Sequence, residues 1–258
     1  MSNLAVSIED GVARITINRP AAMNAVTTQM WAQMLEAMQG IEHDSTVRCV
    51  LIAGVGENFC SGGDVKEFAS TLDMTASERA KFWVASAEIT NNVFMTMERI
   101  PQPIVVSVRG MGAGGGMAIV AAADLAIASD TARFFAAQIK LGAIPDSGVS
   151  YNMVRSLGLK RAKQFGMLGD VMDAHAALSF GLVNWVVPDD ELTARTDAIL
   201  ARLVRTPAKA LALTKATFNN AWNESLGDHF AQEARDVGDC VRTDDFAARV
   251  RSFVERSR

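Results

Sequence analysis

At 258 residues with 49% apolar side chains, the chain can bury a sizeable core and holds one large domain, or a domain with a smaller appendage. A net charge of −4 with scattered Lys and Arg excludes a nucleic-acid surface, which needs a massed basic patch. Cys49, Cys60 and Cys240 are too dispersed for a disulfide framework or a zinc cluster, the start MSNLAVSIED lacks the pattern of a signal peptide, and the longest uncharged stretch is too short for a bilayer. The expectation is a soluble cytoplasmic protein with no metal, no nucleic acid and no membrane partner.

In chain order, AVSIEDGVARITI reads as a hairpin turning at Asp10-Gly11. Thr27 or Thr28 caps a helix with Met30, Trp31, Met34, Leu35 and Met38 on one face. VRCVLIAG (Val47–Gly54) is a buried strand. A helix runs from about Glu78 to Arg99 with Phe82, Ile89, Val93 and Met97 inward, and Pro101 and Pro103 stop it. IVVSV (Ile104–Val108) is the next buried strand, and a glycine-rich segment then opens an alanine-rich helix. DLAIAS and ARFFAA are two further strands. The helix after Asp146 buries Val149, Met153, Val154 and Leu157 and ends at Gly158; a short one begins at Asp173 and stops at Gly181. LVNWVVP is the last strand, and everything from Asp189 onward is helical. Strands alternating with helices predict an α/β core over residues 1–200, followed by a helical region over 201–258. The latter carries Leu211, Leu213, Phe218, Trp222, Phe230, Val237, Phe246, Val250 and Phe253, more apolar surface than a lone appendage hides.

Two glycine-rich turns carry the chemistry. RGMGAGGGMA places Gly110, Gly112 and Gly115 at G-x-G-x-x-G spacing between a strand and a helix, with Asp130 20 residues beyond Gly110. That is dinucleotide-fingerprint spacing, although close helix–strand packing also needs small residues. A third reading is that the helix start leaves backbone N–H groups free at the positive end of the helix dipole. NFCSGGDVKEF (Asn58–Phe68) is a second small-residue turn after a buried strand, and two such turns can form an oxyanion hole. In KLGAIPDSG (Lys140–Gly148), Asp146 stands directly before a helix. It can cap that helix, a role Ser147 could also fill, or it can move protons. Its apolar neighbours Ile139, Leu141, Ile144 and Pro145 would raise the pKa of a carboxylate there and suit it to act as a base.

NRPAAMNAV, FCSGGDVKEF, IVVSVRGMGAGGGMAIVAAADLAIAS, FFAAQIKLGAIPDSG, ALSFGLVNWVVP and DDFAARVRSFVERSR follow one another as in the crotonase superfamily, the enoyl-CoA hydratases and isomerases. The chain resembles that family over nearly its whole length, and the match outweighs the nicotinamide reading. The resemblance implies a spiral of ββα units with C-terminal helices that build a homotrimer or a dimer of trimers. It implies an acyl-CoA thioester substrate from fatty-acid or aromatic-acid catabolism, with coenzyme A part of that substrate and no separate cofactor. The N–H groups of Gly63 and Gly115 would hold the thioester oxygen. Ser61, Gly62 and Gly114 would lie beside it, and Asp64, Val65 and Lys66 along the pantetheine, Lys66 being equally readable as a solvated surface lysine.

The chain departs from the hydratases at both of their catalytic glutamates, whose positions match Ala118 and Gln138. Alanine has no proton to give, and glutamine can orient a group but is no ordinary acid or base. Asp146 remains, in a stretch similar to the GLIPD-x-GG of 1,2-epoxyphenylacetyl-CoA isomerases, where the aspartate is the acid/base residue; Ala143 and Val149 depart from that pattern. The resemblance thus implies a double-bond or ring isomerase using Asp146, with Gln138 and Pro145 beside the substrate. The alternatives are a hydratase-like lyase and a non-catalytic acyl-CoA binder. A dehalogenase with Asp146 as nucleophile would need a Trp at 138 and a histidine on the preceding helix, and no histidine occurs between His43 and His175. His175 reads as solvated and Tyr151 as a packing residue.

Overall fold

The structure, a computed structural model, describes residues 2–256. Strands β1 (Leu4–Glu9) and β2 (Val12–Ile17) pair antiparallel across the Asp10-Gly11 turn, where both residues take positive φ, 51° and 78°. That backbone matches the right-handed strand twist. The Thr27 side chain accepts from the Met30 N–H and starts α1 (Thr28–His43), which buries Met30, Trp31, Met34, Met38 and Ile41. β3 (Cys49–Gly54) and α2 (Val65–Ser70) follow. A Thr75–Glu78 capping box satisfies the first N–H groups of α3 (Ala76–Arg99), which ends ahead of Pro101. Next come β4 (Ile104–Val108), β5 (Met111–Ala113), α4 (Gly115–Ala122), β6 (Leu125–Ser129) and β7 (Arg133–Phe135). The second half holds α5 (Val149–Leu157), α6 (Leu159–Leu168), β8 (Met172–Asp173), α7 (Ala174–Phe180), β9 (Trp185–Val187), α8 (Leu192–Arg205), α9 (Ala208–Asn220), α10 (Leu226–Val241) and α11 (Asp244–Arg256).

The larger sheet runs β1-β2-β3-β4-β6-β9 and is parallel from β2 onward; β5, β7 and β8 form a second, smaller sheet. Both faces of the inner strands are covered, so β3 reads as an unbroken apolar run, whereas β1 at the edge is exposed beyond Leu4. Val50 and Ile52 join the core built with α1, α3 and α4, while Cys49 and Leu51 pack with Ile199 and Leu200 of α8. Helix α8 also meets β4 through Thr196 Oγ1 and Ser107 Oγ, 3.1 Å apart. The 200/201 division therefore falls inside a helix that closes the core. No described helix is long and apolar enough to cross a membrane.

Several expectations change. Phe82 is not inward: burial on α3 begins only at Ser86, and Phe82 stacks edge-on against Trp83, which meets Phe68 in turn. Val154 is exposed, because the short α5 buries only the stripe Val149, Met153 and Leu157. Tyr151 is not packed inside either; its ring lies 3.4 Å from the Arg155 guanidinium carbon on the surface. The last strand is only three residues long, with Leu182 and Val183 entering the core from the preceding loop. Helices α2 and α6 and strands β5 and β8 escape the sequence reading, the strands because two or three residues show no period.

Candidate active site

Pairing between two loops brings the glycine turns together. Beyond β3, Phe59 N–H donates to Arg109 O (2.8 Å), Cys60 N–H to Met111 O (2.9 Å) and Ala113 N–H to Cys60 O (2.9 Å). The two chains then continue side by side into Gly62–Gly63 and Gly114–Gly115. Only glycine fits there. A Cβ on Gly62, whose φ is 104°, would stand 3.0 Å from Ala113 O and 3.4 Å from Gly115 N. A Cβ on Gly63 would meet the Phe68 ring at 2.7 Å, and one on Gly115 would meet Trp31 at 2.8 Å. Two aromatic rings therefore back the turns, one from α2 and one from α1.

Both turns present an unspent donor. Val26 N–H donates to Gly62 O (2.8 Å) and Asp64 N–H to Val26 O (3.1 Å), which leaves the Gly63 N–H facing the opposite edge of this extended segment. It donates to no described residue. Gly115 is the first residue of α4, so its N–H has no partner inside the helix, and the positive end of the helix dipole adds to it. The neighbouring Gly114 N–H is already spent on Phe135 O (3.1 Å).

Polar struts hold the first turn in place. Asn24 is fully buried with φ 56°; its Oδ1 accepts from Arg19 N–H (2.8 Å), and its Nδ2 donates to Val55 O (2.9 Å) and Asn58 O (2.6 Å). Arg19 Nη2 donates to Asp64 Oδ2 (2.8 Å), and Asp64 Oδ1 accepts from Lys66 N–H at the start of α2. Burial pushes the Asp64 carboxyl up, but the Arg19 hydrogen bond, the Lys66 N–H and the charges of both side chains outweigh it and hold the group below its ordinary value. Arg19 and Asn24 stand in the NRPAAMNAV motif with no task predicted for either. An Arg directly before Pro20 and an Asn four residues after it were the available signal, since Asn is among the few residues at ease with positive φ.

The sequence-predicted residues divide into two groups. Gly62, Gly63, Gly114 and Gly115 converge. Gln138 joins them, its Oε1 lying 4.0 Å from where a Cβ on Gly114 would stand, and its Nε2 donates to Asp146 Oδ1 at 3.0 Å. Asp64 turns away to Arg19, Val65 and Lys66 are exposed on the first turn of α2, Ser61 is tied by its N–H to Met23 O, and Pro145 packs 3.5 Å from the Cβ position of Gly166. Ala118 is fully buried in the core.

Asp146 is not a helix cap, and neither is Ser147. Ser147 (φ 57°) and Gly148 (φ 74°) form a left-handed turn closed by Val149 N–H on Asp146 O (3.0 Å), so α5 starts after Gly148 with no side-chain cap. The apolar enclosure expected around the carboxylate is also absent within the chain. Asp146 is exposed, and Ile144, Leu141 and Ile139 are 76%, 58% and 36% exposed. The loop runs over the surface rather than through the core. Elsewhere near the turns, Glu67 is committed to Thr28 N–H (3.0 Å), and burial pushes the Cys60 thiol up to about 12, leaving it protonated and inert. Among the described residues no cluster of His, Cys, Asp or Glu is arranged to hold a metal.

Comparison with known proteins decides the family. The model of the enoyl-CoA hydratase/isomerase family matches residues 7–258. The chain belongs to the enoyl-CoA hydratase/isomerase family. It is 34% identical to the 1,2-epoxyphenylacetyl-CoA isomerase of Escherichia coli K12, over 85% of this chain and 82% of that one. It is 32% identical to the short-chain-enoyl-CoA hydratase of Clostridium acetobutylicum, over 99% and 96%. The crystal structure of an enoyl-CoA hydratase from Mycobacterium smegmatis superposes with a TM-score of 0.91 at 28% identity, covering 99% and 97%. The fold is the crotonase fold of this family, with a helical C-terminal region, and relatives within the family carry both isomerase and hydratase names.

Proposed function

We propose that the protein is an acyl-CoA isomerase that moves a double bond, or opens a strained ring, next to a thioester. For a 3-enoyl thioester, Asp146 removes a proton from Cα. The electron pair moves into an enolate, whose oxygen is held by the Gly63 and Gly115 N–H groups, each such donor being worth about 10²–10³ in rate. Asp146 then returns the proton at Cγ, and the double bond ends between Cα and Cβ. Atoms and charge balance with one carboxylate. One observation carries the reading. At the two positions where the family's hydratases place glutamates, this chain has a buried alanine and a glutamine, and that glutamine hydrogen-bonds Asp146 while lying beside the second glycine turn. Asp64 and Glu67 are already committed to Arg19 and Thr28.

The same reading includes assembly into a homotrimer, alone or paired. Apolar side chains are exposed on α9–α11 and separately on residues 139–171, including Ile144, Met167 and Leu168. Two different patches on one chain favour a head-to-tail contact that closes into a ring.

The test assays 3-hexenoyl-CoA isomerisation, crotonyl-CoA hydration and acyl-CoA binding side by side. The wild type should isomerise and hydrate poorly. Asp146→Asn should fold and bind acyl-CoA normally yet lose about 10²–10⁴ in kcat. Full isomerase turnover in folded Asp146→Asn, or a robust wild-type hydration rate, would overturn the reading. Binding without any turnover would make the protein an acyl-CoA binder.

A further inference from the structure

Gln138 occupies a position where the family's hydratases use an acid, and its geometry here is specific. Its Nε2 donates to Asp146 Oδ1 at 3.0 Å, while its Oε1 is buried and accepts no hydrogen bond. That oxygen points at the second glycine turn, 4.0 Å from the Cβ position of Gly114. The amide cannot reverse without setting its oxygen against the Asp146 carboxylate, so its polarity is fixed. No other described side chain hydrogen-bonds the carboxylate, which sits on an exposed turn with Ser147 and Gly148 in left-handed backbone. Asp146 Oδ2 accepts from no described residue.

We propose that Gln138 is a positioning residue: its amide holds Asp146 Oδ1 so that Oδ2 is presented to the Cα proton of a thioester seated at the glycine turns. This rests on the isomerase reading above. An untethered carboxylate on a surface turn rotates freely, and proton abstraction depends on its orientation. A glutamine supplies the tether without a second titrating group. A glutamate in its place, when ionised, has no proton to donate and sets a like charge beside Asp146.

The experiment measures 3-hexenoyl-CoA isomerisation and, independently, exchange of the Cα protons of hexanoyl-CoA with deuterium oxide. Exchange reports proton removal alone. Gln138→Leu keeps the approximate size and removes the donor. It should lower kcat and the exchange rate together by about 10–10²-fold, with KM within about twofold and the melting temperature near wild type. In an Asp146→Asn background the same substitution should cost nothing further. Should Gln138→Leu fold poorly, Gln138→Glu provides the second variant, with an expected loss at least as large. Wild-type kcat in Gln138→Leu alongside an inactive Asp146→Asn would overturn the positioning role and leave the base assignment standing. A raised KM with unchanged kcat would make Gln138 a substrate contact and overturn it equally. Unimpaired exchange in Asp146→Asn, or none in the wild type, would overturn the base assignment and this proposal with it.

Discussion

The sheet core and the C-terminal helices are both rich in apolar residues, and they meet opposite fates. In β3 and α1, Val50, Ile52, Met34 and Met38 are completely buried by neighbours from the same chain. On α10, Leu226, Phe230, Val237 and Val241 recur along one helical stripe, yet they are 69%, 58%, 61% and 44% exposed, and neither α10 nor α11 buries a residue within the chain. Periodicity chooses the face to be buried in both regions. It does not supply the partner. An inner strand has neighbouring strands and helices of the same chain to cover it, whereas no described part of the chain covers the stripe on α10. Covering a side chain such as Phe230 is worth about 1.5–3 kcal/mol, which supports the proposed contact of this stripe with a second copy of the chain.

Substitutions can break or sharpen that contrast. The largest effect on stability should come from Ile52→Ala, which opens a cavity in a fully enclosed site and should cost about 2–5 kcal/mol in urea unfolding. Arg19→Met comes next, at about 1.5–3 kcal/mol, because a charge-assisted bond to a mostly buried carboxylate is lost. The pH dependence has a definite sign. Folded Asp64 titrates below its ordinary value, so its contribution is complete above about pH 4 and disappears as pH falls through the folded value. The stability gap between wild type and Arg19→Met should therefore be widest at neutral pH and narrow in acid.

Thr75→Ala removes half of a solvent-exposed capping box and should cost about 1 kcal/mol, read from thermal melts. The smallest change should come from Phe230→Ala, within about 0.5 kcal/mol for the dissociated chain. In sedimentation the same variant should dissociate at higher protein concentration than wild type. A dilute Phe230→Ala chain as destabilised as Ile52→Ala would abolish the contrast, and a wild type that sediments as a monomer at micromolar concentration would remove the assembly role.

The residues also show where a one-dimensional pattern stops being informative. Helix α1 was legible because it is long, periodic and starts at Thr27, and strands β3 and β4 because they are continuous apolar runs marked off by Gly54 and Pro103. Phe82 fits the α3 periodicity as well as Val93 does, but lies on turns that extend past the core. Asp146 has the sequence of a helix cap and is instead the first residue of a left-handed turn, because Ser147 takes positive φ, which nothing in its identity announces.

By itself the sequence determined the α/β alternation, the buried strands and the two glycine turns, each of which depends on residue type and local spacing. The absence of both hydratase glutamates is what its resemblance to the family implied. Tertiary structure alone decided that Cys60 pairs with Met111 and Ala113 so that the turns stand side by side, that Asn24 and Arg19 brace the first of them, and that Gln138 hydrogen-bonds Asp146 beside the second. The Cys60 and Arg19–Asp64 contacts join segments far apart in the chain, and even the local Arg19–Asn24 and Gln138–Asp146 bonds depend on loop conformations that no periodicity along the chain specifies.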